Sequence, residues 1–127
     1  MARRSFTLPV VALLVAVLLV GCGDSKVDTS NCRAVAPTAP GRTELTVTAK
    51  NLSFDVECVK VKPGTVVVKF VNEDKEVAHN FHVVDEGSTK LTRGPDEQTL
   101  TLKLTEKGTY DFKCDPHPNM KGAIVVA

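Results

Sequence analysis

The stretch Gly108–Val126 constrains this chain more than any other. Two runs of apolar residues, Tyr110, Phe112 and Cys114 on one phase and Ala123–Val126 afterwards, enclose the short segment Asp115-Pro116-His117-Pro118-Asn119-Met120. Alternation at period two marks a strand with one buried face, so if Phe112 points into a core, the Cys114 thiol at the strand end does too. Prolines on both sides of His117 fix backbone torsions and remove two hydrogen-bond donors, which stiffens the loop. A thiol, an imidazole and a thioether thus fall within seven residues. They are three of the four donors of a trigonal copper site with a weak axial sulfur, and a second histidine has to come from elsewhere.

The preceding chain is built to supply it from a sheet. Leu45, Val47 and Ala49 alternate with polar residues over about Glu44–Lys50. Phe54–Lys62 follows, but Phe54 and Val56 share one parity and Val59 and Val61 the other, which predicts a bulge or kink near Glu57-Cys58. Pro63-Gly64 makes a turn, Val66, Val68 and Phe70 define the next strand, and Asn72–Glu76 is a charged turn. A strand over Val77–Val84, a polar loop over Asp85–Pro95 and an alternating run through Leu100, Leu102 and Leu104 complete the pattern. About seven short strands with closely spaced turns and no long amphipathic helix predict an all-β antiparallel sandwich.

Parity selects between the two remaining histidines. Val77, His79, Phe81 and Val83 share the apolar face of their strand, whereas Asn80, His82 and Val84 share the other. His79 is therefore expected to point inward and complete the donor set with Cys114, His117 and Met120, and His82 to face outward. A lone histidine on an apolar face is ordinarily a packed core residue; here the three other donors give it a ligand role.

The N-terminus reads as an export leader over residues 1–21: Arg3 and Arg4, the apolar run Leu8–Val20, then small residues. That run is too short to span a membrane comfortably. Leu19-Val20-Gly21-Cys22 resembles a bacterial lipobox, in which the cysteine is lipid-modified and begins the mature chain. Arg3-Arg4-Ser5-Phe6 partly resembles a twin-arginine export signal. Residues 22–43, small and polar with Pro37, Pro40 and Gly41, are expected to be a tether, and 44–127 the folded domain. A free segment from Cys22 to Cys32 would have an r.m.s. span of about 18 Å. With Cys22 given to lipid and Cys114 to metal, Cys32 and Cys58 remain and are expected to pair in an oxidising compartment. The rival is a bridge from either one to Cys114, which would abolish the metal site. A formal charge of +1 and the lack of a basic patch argue against a nucleic-acid partner.

Taken together, Lys62-Pro63-Gly64, Val66–Asn72, His79-Asn80, Tyr110–Cys114 and the Cys114-to-Met120 spacing identify Leu45–Val126 as similar to the cupredoxins, small blue-copper electron carriers of the plastocyanin type. The ligand loop resembles the short one of the amicyanin kind. The resemblance implies a Greek-key sandwich with one copper ion, cycling between Cu(I) and Cu(II), on His79, Cys114, His117 and Met120. It further implies that Asn80 bonds between ligand-bearing segments, and that electrons leave through Pro116, His117 and Pro118. A monomer is expected, without enzymatic activity, exchanging electrons with membrane-associated redox donors and acceptors outside the cytoplasm. Three histidines are too few for the additional copper centres of a copper oxidase or nitrite reductase. The alternative is a tethered copper chaperone or store. The departure from the family is the N-terminal extension with its cysteine pair.

Overall fold

A computed structural model describes residues 26–127, so the leader and Cys22 lie outside the described residues. Every regular element among them is a strand. In chain order these are β1 (Arg33–Ala34), β2 (Arg42–Lys50), β3 (Ser53–Phe54), β4 (Cys58–Val61), β5 (Gly64–Asn72) and β6 (Ala78–His79). The second half contains β7 (His82–Val83), β8 (Gly87–Ser88), β9 (Thr92–Arg93), β10 (Asp96–Leu104), β11 (Gly108–Cys114) and β12 (His117–Val126). One sheet has the order β1-β4-β12-β11-β7-β8, the other β10-β5-β2-β3, and β6 pairs with β9 in a small ribbon. The expected sandwich is present. Twelve described strands replace the expected seven because six of them are only two residues long, below what alternation can reveal.

The core lies where the alternating faces meet. Val47 of β2, Val66, Val68 and Phe70 of β5, Leu102 and Leu104 of β10, and Phe112 and Ile124 of β11 and β12 are buried. Phe54 joins them through edge-on contacts to Phe70, Phe81 and Phe112 at centroid distances of 6.4, 5.7 and 5.7 Å. Each such side chain contributes about 1.5–3 kcal/mol by leaving water. Gly122 sits directly beneath the Phe112 ring: a Cβ there would overlap that ring and the Glu57 carbonyl. This close approach lets β11 and β12 stay paired up to the loop that carries His117.

Three sequence expectations are corrected. The phase slip near Cys58 is a change of sheet: Phe54 pairs with Ala49 in one layer, and Cys58 with Ala123 in the other. Because of that crossing, β5 returns beside β2 in the same direction, so the sandwich is not purely antiparallel; β2/β5, β4/β12 and β1/β4 are parallel. Val77–Val84 is two short strands, β6 and β7, that pair with different neighbours.

Part of the segment expected to be a tether is held against the sandwich. Cys32 is bonded to Cys58, β1 joins the edge of the six-stranded sheet, and the Val35 N–H donates to the Lys60 carbonyl at 2.9 Å. Before the bridge, Lys26 and Val27 share shallow clefts with Thr109, Asp111, Asn119 and Lys121. The described segment from residue 26 onward therefore lies along the sandwich.

Candidate metal centre

The end of β11 and the start of β12 form a hairpin so tight that Cys114 and His117 are register partners, with only Asp115 and Pro116 between them. Cys114 is fully buried, as its parity with Phe112 predicts, and its sulfur is the only free thiol among the described residues. The rival bridge to Cys114 is thereby excluded. His79, at the end of β6, is also fully buried. Its Nδ1 lies 3.6 Å from Cys114 Sγ, and the Nδ1 of His117 lies 3.4 Å from the same sulfur. The imidazole centroids of His79 and His117 are 4.7 Å apart, and all three donor atoms lie within 4.8 Å of one another. Met120 is buried and nearby, three residues after His117 on β12.

This donor set fits a metal ion. Two bonds of about 2.0–2.3 Å meeting at trigonal or tetrahedral angles place their donor atoms about 3.6–3.8 Å apart, close to both observed N···S separations. A soft sulfur with two imidazoles and a thioether suits copper in both common oxidation states. Burial pushes the Cys114 thiol above its ordinary range, while N–H groups of Asn80 and His117 directed at the sulfur oppose that shift. A metal bound there would therefore displace a proton from the Cys114 sulfur.

The surroundings hold the donors in place. Asn80 is buried although it lies on the polar parity of its strand. Its Nδ2 donates to Asp115 Oδ2 at 2.7 Å and to Ser88 Oγ at 3.0 Å, and its Oδ1 accepts the Asp115 N–H at 2.9 Å. It thus ties the segment bearing His79 to the one bearing Cys114. Asp115 also meets the Nδ1 of His82 at 2.8 Å and Lys113 Nζ at 3.5 Å. Hydrogen bonds from His82 and Asn80 hold the Asp115 carboxyl below the usual carboxylate range. His82, with 30% of its side chain exposed, is not among the clustered donors and braces the loop through Asp115.

Sequence reasoning missed Asp74. Its carboxylate accepts from His79 Nε2 at 2.8 Å and from the N–H groups of Asn51 and Leu52 at 2.6 and 2.9 Å. The Leu52 N–H, ahead of His79, holds it below the usual carboxylate range. The only cue in the sequence was an acidic residue in the charged turn five positions before His79. The role of Asp115 was equally hidden, since an acidic residue beside Cys114 reads as loop polarity.

Of the four donors, His117 alone reaches the surface; Pro116, Pro118 and Asn119 around it are exposed. A model of the "Cupredoxin-like domain" family matches residues 10–126. Amicyanin-alpha of Methylorubrum extorquens is 35% identical over 97 residues, covering 73% of this chain and 78% of that protein. The structure of the reduced Cu(I) form, at pH 4, of a proline-to-glycine variant of amicyanin aligns at a TM-score of 0.52 with 33% identity, over 65% of this chain and 81% of that one. Reduced rusticyanin aligns at a TM-score of 0.62 with 22% identity, over 82% and 89% of the two chains, a likeness of fold.

Proposed function

The chain belongs to the cupredoxin-like family, and from that premise we propose that it is a blue copper protein that carries single electrons at the bacterial cell envelope, with His79, Cys114, His117 and Met120 as its ligands. The observation that carries this reading is the asymmetry of the donor set: three donors are buried and one, His117, is half-buried at a rim of exposed prolines. Bound there, copper supplies a one-electron couple. The chain supplies stiffness. Cys114 and His79 sit on strand ends, Asn80 links them, and the hairpin at Asp115-Pro116 leaves little room for the donors to move apart. A site that barely rearranges between oxidation states suits rapid electron exchange, and the ring of His117 with Pro116 and Pro118 is the exit.

Copper delivery is the competing use of the same donors. It requires the ion to be reached and released, and here three of the four donors are sealed from water. That favours the carrier over the chaperone or store. We further infer that residues 1–21 are removed as a leader, that Cys22 carries lipid, and that the sandwich works as a monomer with membrane-associated redox partners. The lipobox-like Leu19-Val20-Gly21-Cys22 supports the anchor. The Cys32–Cys58 bond suits an oxidising compartment.

Adding copper(II) to the purified chain tests the function. An intense visible absorption that disappears in Cys114→Ser, together with reversible one-electron reduction, is expected. A colourless complex, a band that survives in Cys114→Ser, or reduction that expels copper would refute the carrier reading.

A further inference from the structure

The Nε2 of His79 is turned away from the donor cluster toward the Asp74 carboxylate, 2.8 Å away. The imidazole is fully buried, and the Asp74 side chain is only 12% exposed. A buried N–H that meets a carboxylate fixes the ring tautomer: the proton stays on Nε2 and the lone pair of Nδ1 is left facing Cys114. The carboxylate itself has little freedom. It accepts the backbone N–H groups of Asn51 and Leu52, two consecutive residues in the left-handed region with φ of 53° and 56°. Its own N–H is held by Asn72 Oδ1 at 3.0 Å, and the buried Asn72 amide donates to the Val77 and Thr92 carbonyls. Gly94 packs so closely behind that a Cβ would overlap the Asp74 carbonyl. Such bracing is more than burial of one histidine requires.

We propose that Asp74 is a positioning residue that sets both the tautomer of His79 and the reduction potential of the centre. This rests on the reading of His79 as a ligand. A fixed negative charge one imidazole away from the ion makes the ring a stronger donor and favours the more positive oxidation state. The charge therefore biases the couple toward Cu(II) and lowers the potential. The same carboxylate caps the turn that carries the exposed Leu52, so the backbone on which that side chain stands is tied to the ligand.

The test compares the copper-loaded full chain with Asp74→Asn, which keeps the size and removes the charge. Removing the hydrogen-bond partner of a metal-bound histidine changes metal affinity by about 10–100-fold. At the lower bound, a tenfold loss of preference for Cu(II) over Cu(I) raises a one-electron potential by about 59 mV. The variant should show that rise and keep the visible band. A variant that folds, keeps the band and shifts the preference less than twofold overturns the proposal while leaving the ligand assignment standing. A wild-type chain without the band would instead sink the assignment. If Asp74→Asn does not fold, nitrogen and proton NMR of the metal-free wild-type chain decides. The proposal requires a His79 proton on Nε2 that exchanges slowly with water, and a proton on Nδ1 or rapid exchange at Nε2 refutes it.

Discussion

Asn80 offers the sharpest test of how the site is held together. Replacing it with alanine removes two donated bonds, to Asp115 and Ser88, and one accepted bond from the Asp115 N–H. The Ser88 hydroxyl keeps its bond to the Thr89 carbonyl. The Asp115 carboxylate, with 44% of the side chain exposed, keeps His82 and gains water. Those two losses are thus worth only about 0.5–1 kcal/mol each. The Asp115 N–H is different, because an orphaned backbone donor costs about 1–3 kcal/mol. The total is about 2–5 kcal/mol, and at about 4–8 °C per kcal/mol for a domain of this size, the metal-free chain should lose at least about 8 °C in Tm. Asn80→Asp should be worse than Asn80→Ala at neutral pH, since it sets a second carboxylate where the Asp115 oxygen now receives an N–H at 2.7 Å. Calorimetry of the three metal-free chains reads both numbers. An Asn80→Ala cost below about 1 kcal/mol, or an Asn80→Asp chain as stable as Asn80→Ala, would show that the two ligand-bearing segments are not linked through this side chain.

Met120→Gln should keep copper and shift the reduction potential, because the axial donor tunes it; an unchanged potential in voltammetry would remove Met120 from the ligand set. Breaking the bridge with Cys32→Ser and Cys58→Ser, which opens a loop of sequence separation 26, should cost about 3.5 kcal/mol in the chain-entropy model. Urea unfolding of the double variant checks this, and a loss below about 1 kcal/mol would mean that β1 alone pins the N-terminal segment. Asp96 accepts from Thr92 Oγ1 and Gln98 Nε2, which lower its pKa, Thr92 first. A group depressed in the folded state adds stability above its unfolded value of 3.8 and loses it as pH falls through the folded one. Thr92→Val should therefore flatten part of the acid limb of the stability profile below about pH 4, and an unaltered limb would refute that assignment.

Much of this arrangement was legible because the strands that matter are amphipathic. Parity alone put Cys114 and His79 on buried faces, and both are sealed from water. Asn80 shares its parity with His82 and Val84 and is nonetheless buried, because the backbone between β6 and β7 breaks and lets the amide reach across to Asp115. Parity could not see β8 and β9 within Asp85–Pro95, since two residues carry no period. The phase slip at Cys58 was visible, but one chain cannot say whether a slip means a bulge within a sheet or a passage between sheets. What decides is the partner, and Cys58 opposite Ala123 belongs to the far layer.

That passage also explains how a site of this stiffness arises from a chain with no long-range signal for it. Once β4 has crossed, β12 must run beside it, with Ala123–Val126 registered on Cys58–Val61. The antiparallel pairing of β12 with β11 then runs in step as far as Lys113 and Lys121, and after a shift of register the hairpin closes at Cys114 and His117. The Cys32–Cys58 bond fastens the start of β4, which lies opposite Ala123. A slip of one residue in β12 would turn Met120 outward and carry Lys121 into the core. The cysteine pair and the loop donors, distant in sequence, are consequently constraints on the same register. The loop can be short because β12 is held from its other side. It follows that loosening the bridge should disturb the visible spectrum of the copper-loaded chain as well as its unfolding midpoint, and a double serine variant with full stability loss but an unaltered band would show that β11 alone sets the hairpin.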